Sequence, residues 1–203
     1  MDIYFSPLAC SLASRITLYE SGQDATFQKV DTKAGRTASG EDYRRINPKG
    51  LVPALRTDDG LVLTENAAIL QYLADRKPEA GLAPSGFARY QLQQWLSFIG
   101  SELHKTVFTP LLSPTWPADG KAKAKEDAAS RLAYLNEHLT GREWLLDDFS
   151  VADAYLAAVL NWNMAVKLDF SPYPAIQAYQ QRLAGRPAVG KAMQEEFALF
   201  QPA

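Results

Sequence analysis

The sequence is poor in the residues that most often build disulfide and metal chemistry. It has one cysteine, Cys10, and two histidines, His104 and His138, in 203 residues. One cysteine cannot close an intrachain disulfide or supply a Cys-rich zinc site. It keeps the ability to bond to a small thiol or to a second chain. No charge of one sign dominates: 21 Lys and Arg stand against 23 Asp and Glu, a net charge of -2. That balance gives no reason to expect nucleic acid or an anionic membrane as partner. No run approaches the roughly 18 apolar residues of a membrane helix. Asp2 and Arg15 interrupt the N-terminal stretch, and no basic segment precedes it, so no secretory signal is expected. The expectation is a cytoplasmic protein. No Gly-rich phosphate loop, metal-ligand pair at helical spacing or Ser/His/Asp set is present, and no metal is expected.

What is present is ordinary globular composition, 47% apolar and 22% charged, with strong local patterning. Residues 2–6 are short, apolar and aromatic, and predict a strand that Pro7 ends. Leu12, Ile16 and Tyr19 predict a helix stopped at Gly22. Residues 25–30 read as a second strand, and the polar stretch 31–45 as a loop with a short helix. Residues 53–57 and 61–63 predict a hairpin turning at Asp58, Asp59 and Gly60. A helix then runs from Glu65 to Pro78. This order builds a mixed four-stranded sheet of thioredoxin-like kind. Residues 78–86 hold two prolines and two glycines and read as a linker. Beyond them only helical stripes appear: Leu92, Trp95, Leu96, Ile99 and Leu103; Leu132, Leu135 and Leu139; Ala152, Tyr155, Leu156, Val159 and Leu160. The expectation is an α+β chain of two domains, residues 1–77 and an all-helical 87–203.

A few residues stand out as chemistry. Cys10 lies between a strand end and a helix start, where unpaired N–H groups and the helix dipole would lower a thiol pKa. A lone cysteine is as readily a buried small hydrophobe. Ser11 beside it has a hydroxyl for a sulfur or for capping the helix. Val52-Pro53 opens a strand. A cis bond there would turn the Val52 backbone outward, although most X–Pro bonds are trans. Thr64-Glu65-Asn66 starts a helix. Glu65 is either a dipole-matched acid or a partner for a ligand ammonium, with Asn66 and backbone N–H groups holding a carboxylate. His104-Lys105 follows an apolar stripe; His104 is either an exposed helical histidine or an imidazole over a cleft between domains, able to donate to a sulfur. His138 lies in a polar run and reads as surface. Ser150-Val151-Ala152-Asp153 fits a capping box.

Taken together, S-P-L-A-C-S-L-A-S, N-P-K-G-L-V-P-A-L, L-T-E-N-A-A-I-L-Q-Y-L, E-L-H-K and F-S-V-A-D-A-Y-L resemble a bacterial beta-class glutathione transferase from Met1 to about Phe197. The resemblance implies a thioredoxin-like domain followed by a helical bundle, glutathione as co-substrate, a small hydrophobic electrophile and a homodimer. It implies that Cys10 faces the glutathione sulfur and can form a mixed disulfide with it. It matches Val52 to the residue whose backbone pairs with the cysteinyl part, and Pro53 to a cis proline. Glu65 and Asn66 match the holders of the γ-glutamyl end, and His104 and Lys105 the pair near the sulfur and the glycyl end. Ser97 and Ser101 fall where polar residues reach the site, the latter from the neighbouring subunit. Trp162 flanks the hydrophobic cleft. Family members can place a lysine at the position of Gly35 to hold the glycyl carboxylate; the cations nearby here are Lys33 and Arg36.

Three activities are compatible with these residues. The first is attack of an activated glutathione thiol on a hydrophobic electrophile, with Cys10, Ser11 and His104 sharing the activation. The second is glutathione-dependent thiol–disulfide, peroxide or dehalogenation chemistry through Cys10. The third is non-catalytic carriage of apolar ligands.

Overall fold

The computed structural model describes residues 1–200; the last three residues of the expected helical domain lie outside the described residues. The N-terminal part orders as β1 (Asp2–Phe5), α1 (Leu12–Ser21), β2 (Thr26–Asp31), β3 (Arg36–Thr37), β4 (Ala54–Arg56), β5 (Val62–Thr64) and α2 (Asn66–Asp75). The sheet runs β3-β2-β1-β4-β5. Only the β1–β2 pair is parallel; its neighbours are antiparallel. The sheet therefore has five strands, not the expected four. The extra strand, β3, is a two-residue edge pairing with Val30 and Asp31. It is too short to show the two-residue alternation that marks a strand in sequence. The short helix expected in the same stretch is a 3₁₀ turn at Tyr43–Arg45.

Alternation along β1 sends neighbouring side chains to opposite faces. Ile3 packs with Leu18, Leu55, Ile69 and Leu73 beneath α1 and α2. Tyr4 packs with Val30, Tyr43, Ile46 and Ala54 on the other face. Tyr4 is thus core, as its place in the strand implies.

The second part is helical among the described residues: α3 (Phe87–Phe98), a π-helical segment Ile99–Phe108, α4 (Thr109–Leu112), α5 (Ala118–Leu139), α6 (Val151–Asn161), α7 (Asn163–Val166), α8 (Pro174–Ala184) and α9 (Pro187–Leu199). The apolar stripe predicted through Leu103 is real, but the backbone widens from Ile99 onward. Buried positions there fall at Ile99, Leu103, Val107 and Phe108. Thr106 and Thr109 return their hydroxyls to carbonyls five residues back, at Ser101 and His104.

Helix α6 is buried from Val151 to Leu160 and forms the centre of the largest core. Its capping box is formed as expected, with Ser150 Oγ accepting from Ala152 N and Asp153 accepting from Ser150 N at 2.9 Å. Asp153 also accepts from Leu145 N and from the Tyr179 hydroxyl. Helix α1 is buried from Leu12 to Leu18, more than the single face predicted. One side covers the sheet, and Leu12, Ala13 and Ile16 join the core built on α6. No helix of the described residues is long and apolar enough to cross a membrane.

Candidate active site at the junction of two cavities

Two cavities meet at the C-terminal end of β1. One, of about 480 Å³, is lined by Val52, Pro53, Glu65, Asn66, Ser97 and Ser101, with Asn47, Lys49, Gly100 and Tyr155 behind them. The other, of about 650 Å³, is mostly apolar, with Leu8, Leu112, Trp162, Met164, Phe197 and Phe200 in its wall. Five residues border both: Cys10, Leu51, Val52, His104 and Lys105. A molecule in the polar cavity and one in the apolar cleft would touch at these five.

The floor of the polar cavity is a stiffened loop. Asn47 accepts from Lys49 N and donates to Leu51 O at 2.6 Å; the Tyr43 hydroxyl donates to the same carbonyl. Gly50 turns the chain at φ +67°, a conformation glycine takes without steric cost. The Val52–Pro53 bond is cis, as the resemblance implies and against the commoner trans form. The Val52 carbonyl is not free, however: it accepts from the Cys10 thiol at 3.4 Å. The Val52 N–H has no acceptor among the described residues.

At the far end, Glu65 sits at the N-cap position of α2 with φ +71° and ψ 121°. That backbone is unfavourable for a residue with a Cβ, and such strain concentrates at binding sites. Its carboxylate does not cap the helix; it pairs with Lys49, which also donates to Thr64 Oγ1. Asn66 follows, buried, with neither its amide nitrogen nor its amide oxygen hydrogen-bonded. A buried side-chain amide with both ends unpaired is rare and costly. The residue borders the polar cavity, with its amide close to the Tyr155 hydroxyl.

The Cys10 thiol departs from the expectation of a lowered pKa. Burial pushes it up to about 11, outweighing Lys105 and the local backbone N–H groups that pull it down. Cys10 is a protonated donor to Val52, not a resting thiolate. Ser11 also departs: it is fully buried, borders neither cavity, and neither caps α1 nor reaches the sulfur. Its hydroxyl is held at the end of β1, exchanging hydrogen bonds with Ser6 N and Ser6 O at 3.3 Å.

His104 is largely buried rather than an exposed helical histidine. Its Nδ1 lies 2.8 Å from the Tyr155 hydroxyl, and the Trp162 ring packs against it at 4.7 Å. Burial first, and the Lys105 charge second, lower its pKa to about 4. The imidazole is therefore neutral at physiological pH. Lys105 is exposed and makes no ion pair among the described residues; its charge acts on the junction, opposed at Cys10 by the smaller effect of Glu65. Trp162 lines the apolar cleft, and its Nε1 donates to Leu8 O at 2.7 Å.

The segment before Cys10 has a second anchor that the sequence did not suggest. Glu196 of α9 is fully buried, accepts from Leu8 N at 2.8 Å and pairs with Arg15 at 2.9 Å. Leu8 has φ +60°, and both its backbone polar groups are held by the helical part. Lys33 and Arg36 border neither cavity; Arg36 bonds to Gly40 O. Lys49 and Lys105 are the cations present. Ser101 lines the cavity of its own chain, bonded to Ser97 O at 3.0 Å. His138 is not a free surface group: its Nε2 lies 2.8 Å from Leu145 O, and its ring is 4.3 Å from that of Trp95. No group of three or more metal-ligating side chains occurs among the described residues.

Lys49, Tyr155 and Glu196 were missed by sequence reasoning. Lys49 lies inside the N-P-K-G-L-V-P run and had that much signal. Tyr155 reads as one more core position of α6. Glu196 offers no pattern, since its role depends on α9 returning to α1.

Comparison with known proteins places the chain in a family. The family model for the N-terminal domain of glutathione S-transferase matches residues 9–76, and that for the C-terminal domain matches residues 101–187. The chain is 46% identical to glutathione S-transferase GstA of Escherichia coli O157:H7, over 97% of this chain and 98% of that one. A sphingomonad glutathione S-transferase solved in complex with glutathione superposes with a TM-score of 0.92 at 46% identity, covering 97% of this chain and 99% of that one. A bacterial beta-class glutathione S-transferase from Sphingomonas chungbukensis gives 0.92 at 44% identity, over 97% and 98% of the two chains. With two domains matched in order and near-complete coverage, the chain belongs to the glutathione S-transferase family, on its bacterial beta-class branch.

Proposed function

We propose that the chain binds glutathione in the polar cavity and directs its thiol at a hydrophobic electrophile in the apolar cleft. The observation that carries this reading is the shared border of the two cavities at Cys10, Val52, His104 and Lys105. Glutathione lies extended, its cysteinyl amide C=O accepting from Val52 N–H. The Glu65 carboxylate faces the γ-glutamyl ammonium. The Asn66 amide and the first N–H groups of α2 take the α-carboxylate. Ser97 and Ser101 supply hydroxyls along the far wall, and Pro53 holds the floor. Lys105 brings positive charge to the sulfur and favours its thiolate. The thiol releases its proton to solvent, the thiolate attacks the electrophilic carbon, and the carbon–sulfur bond forms as the bond from that carbon to the leaving group breaks, the leaving group departing with the electron pair into the cleft beside Trp162.

Cys10 faces that sulfur as a protonated thiol and donates to it only by giving up its bond to the Val52 carbonyl. Its protonated state favours conjugation over disulfide chemistry as the main activity, because the thiolate is the nucleophile in exchange. A reaction that consumes a reduced thiol suits a reducing compartment, which supports a cytoplasmic location and a role in detoxification.

We also read the chain as two units separated at residues 78–86, and as a homodimer. Val62 on the edge strand β5 and Leu61 just before it, with Phe87 and Tyr90 on the first turns of α3, are exposed apolar groups that a second copy would cover.

The test is retention on immobilised glutathione together with turnover of 1-chloro-2,4-dinitrobenzene. Retention and turnover, with Asn66→Ala weakening glutathione binding about tenfold or more, support the reading. Retention without turnover of any electrophile would instead favour a carrier.

A further inference from the structure

We infer that Tyr155 is a positioning residue: its phenol donates to His104 Nδ1 and thereby locks the imidazole as the Nε2–H tautomer, turning a hydrogen-bond donor toward the junction of the two cavities. The argument begins from Tyr155 itself. It lies on α6 and is 4% exposed; its hydroxyl lies 2.8 Å from His104 Nδ1, and the Asn66 side-chain amide approaches the same oxygen as a donor. Burial holds the phenol proton far more firmly than in water, so a proton must be placed on this oxygen. With the Asn66 amide offering the phenol oxygen an N–H, a protonated Nδ1 would be a second donor to that oxygen and would leave the phenol hydrogen buried without an acceptor. Such an unsatisfied donor costs about 1–3 kcal/mol. With the phenol donating, Nδ1 is the acceptor and the one ring proton sits on Nε2.

Nε2 makes no hydrogen bond within the described chain, and it is not among the fully buried unpaired atoms. His104 borders both cavities together with Cys10 and Lys105. The groups packed on the ring from other elements are Tyr155 of α6 and the Trp162 indole; Lys105 adds charge from its own segment. Neither aromatic neighbour is a base that would reverse the tautomer.

The consequence is a division of labour. His104 offers N–H to a sulfur and is not the base that removes its proton. The role of the donor rests on reading the polar cavity as the glutathione site, but the tautomer does not.

The first experiment therefore uses the unliganded protein. Long-range proton–nitrogen correlation spectra of the 15N-histidine-labelled chain at pH 7 report the tautomer of each ring, and His138→Gln assigns the two. The expected result is a single Nε2–H tautomer at His104, and a mixture in Tyr155→Phe, which removes one oxygen and keeps the packing. An Nδ1–H tautomer in the wild type, or an unchanged His104 spectrum in Tyr155→Phe, would overturn the inference. The second experiment is a double-mutant cycle on turnover. Tyr155→Phe should lower kcat roughly tenfold, with KM for glutathione moving less than about twofold. In a His104→Ala background the same change should be nearly silent. An equal loss in both backgrounds would show that Tyr155 acts apart from His104. Absence of any turnover would count against the glutathione reading and leave the spectroscopic result standing.

Discussion

Cys10 illustrates how two local effects with opposite signs are decided by magnitude. The N-terminus of α1 and Lys105 favour the thiolate, and burial opposes it; burial prevails and the pKa rises to about 11 from an ordinary 9. Two pKa units mean about a hundredfold less thiolate at neutral pH. Alkylation of Cys10 by iodoacetamide at pH 7.5 should therefore run about a hundredfold slower than that of free glutathione. A rate equal to that of the free thiol would restore Cys10 as a nucleophile. His104 supplies a second prediction. Its pKa of about 4 lies below the roughly 6.5 of an unfolded histidine. Between these values the unfolded chain binds a proton that the folded chain refuses. The stability is complete above about pH 6.5 and is lost as pH falls through that window. Wild type should lose about 2 kcal/mol more than His104→Gln between pH 7 and 5, by urea unfolding. Equal losses would mean that His104 is not buried neutral.

At the scale of elements, the motifs that work locally were the most legible. The capping box of α6 needs only four consecutive residues, and the structure forms it as read. Its cost on removal still depends on tertiary partners. Ser150→Ala removes one cap and should destabilise by about 1 kcal/mol. Asp153→Ala also strips the Tyr179 hydroxyl and Leu145 N of their acceptor, and should cost roughly 3 kcal/mol or more. Equal effects in urea unfolding would show that the buried network adds nothing to the cap. The π-helical segment is the counter-case. A stripe at Leu92, Trp95, Leu96, Ile99 and Leu103 reads as one straight α-helix, and a five-residue hydrogen-bond ladder leaves little mark in such a short window. Yet that widening carries Ser101, His104 and Lys105, in keeping with the frequent occurrence of π geometry at functional sites.

For the whole molecule, the site exists because the two parts close on one another. Trp162 and Glu196 hold the Leu8 peptide, and Arg15 lies between Glu196, Glu195 and the rings of Phe5 and Phe27. The exposed Phe87 and Tyr90 rings, 6.3 Å apart, extend the same logic to a second copy. Sedimentation at micromolar concentration should show a dimer for the wild type and a shift to monomer for Phe87→Asp with Tyr90→Asp. A monomeric wild type would remove the dimer from the proposal.

By itself the sequence determined what depends on neighbours within a few turns: the strand–helix order, the hairpin, the α6 cap and, through five motifs in order, the family. Tertiary structure alone decided the states of the groups in the site. The raised Cys10 thiol, the neutral His104, the unpaired Asn66 amide and the diversion of Ser11 to the end of β1 all follow from burial. Burial is set by residues distant in sequence, as Leu8 with Glu196 and His104 with Tyr155 show. Local pattern carries propensity and spacing; desolvation and hydrogen-bond satisfaction arise only when distant elements exclude water together.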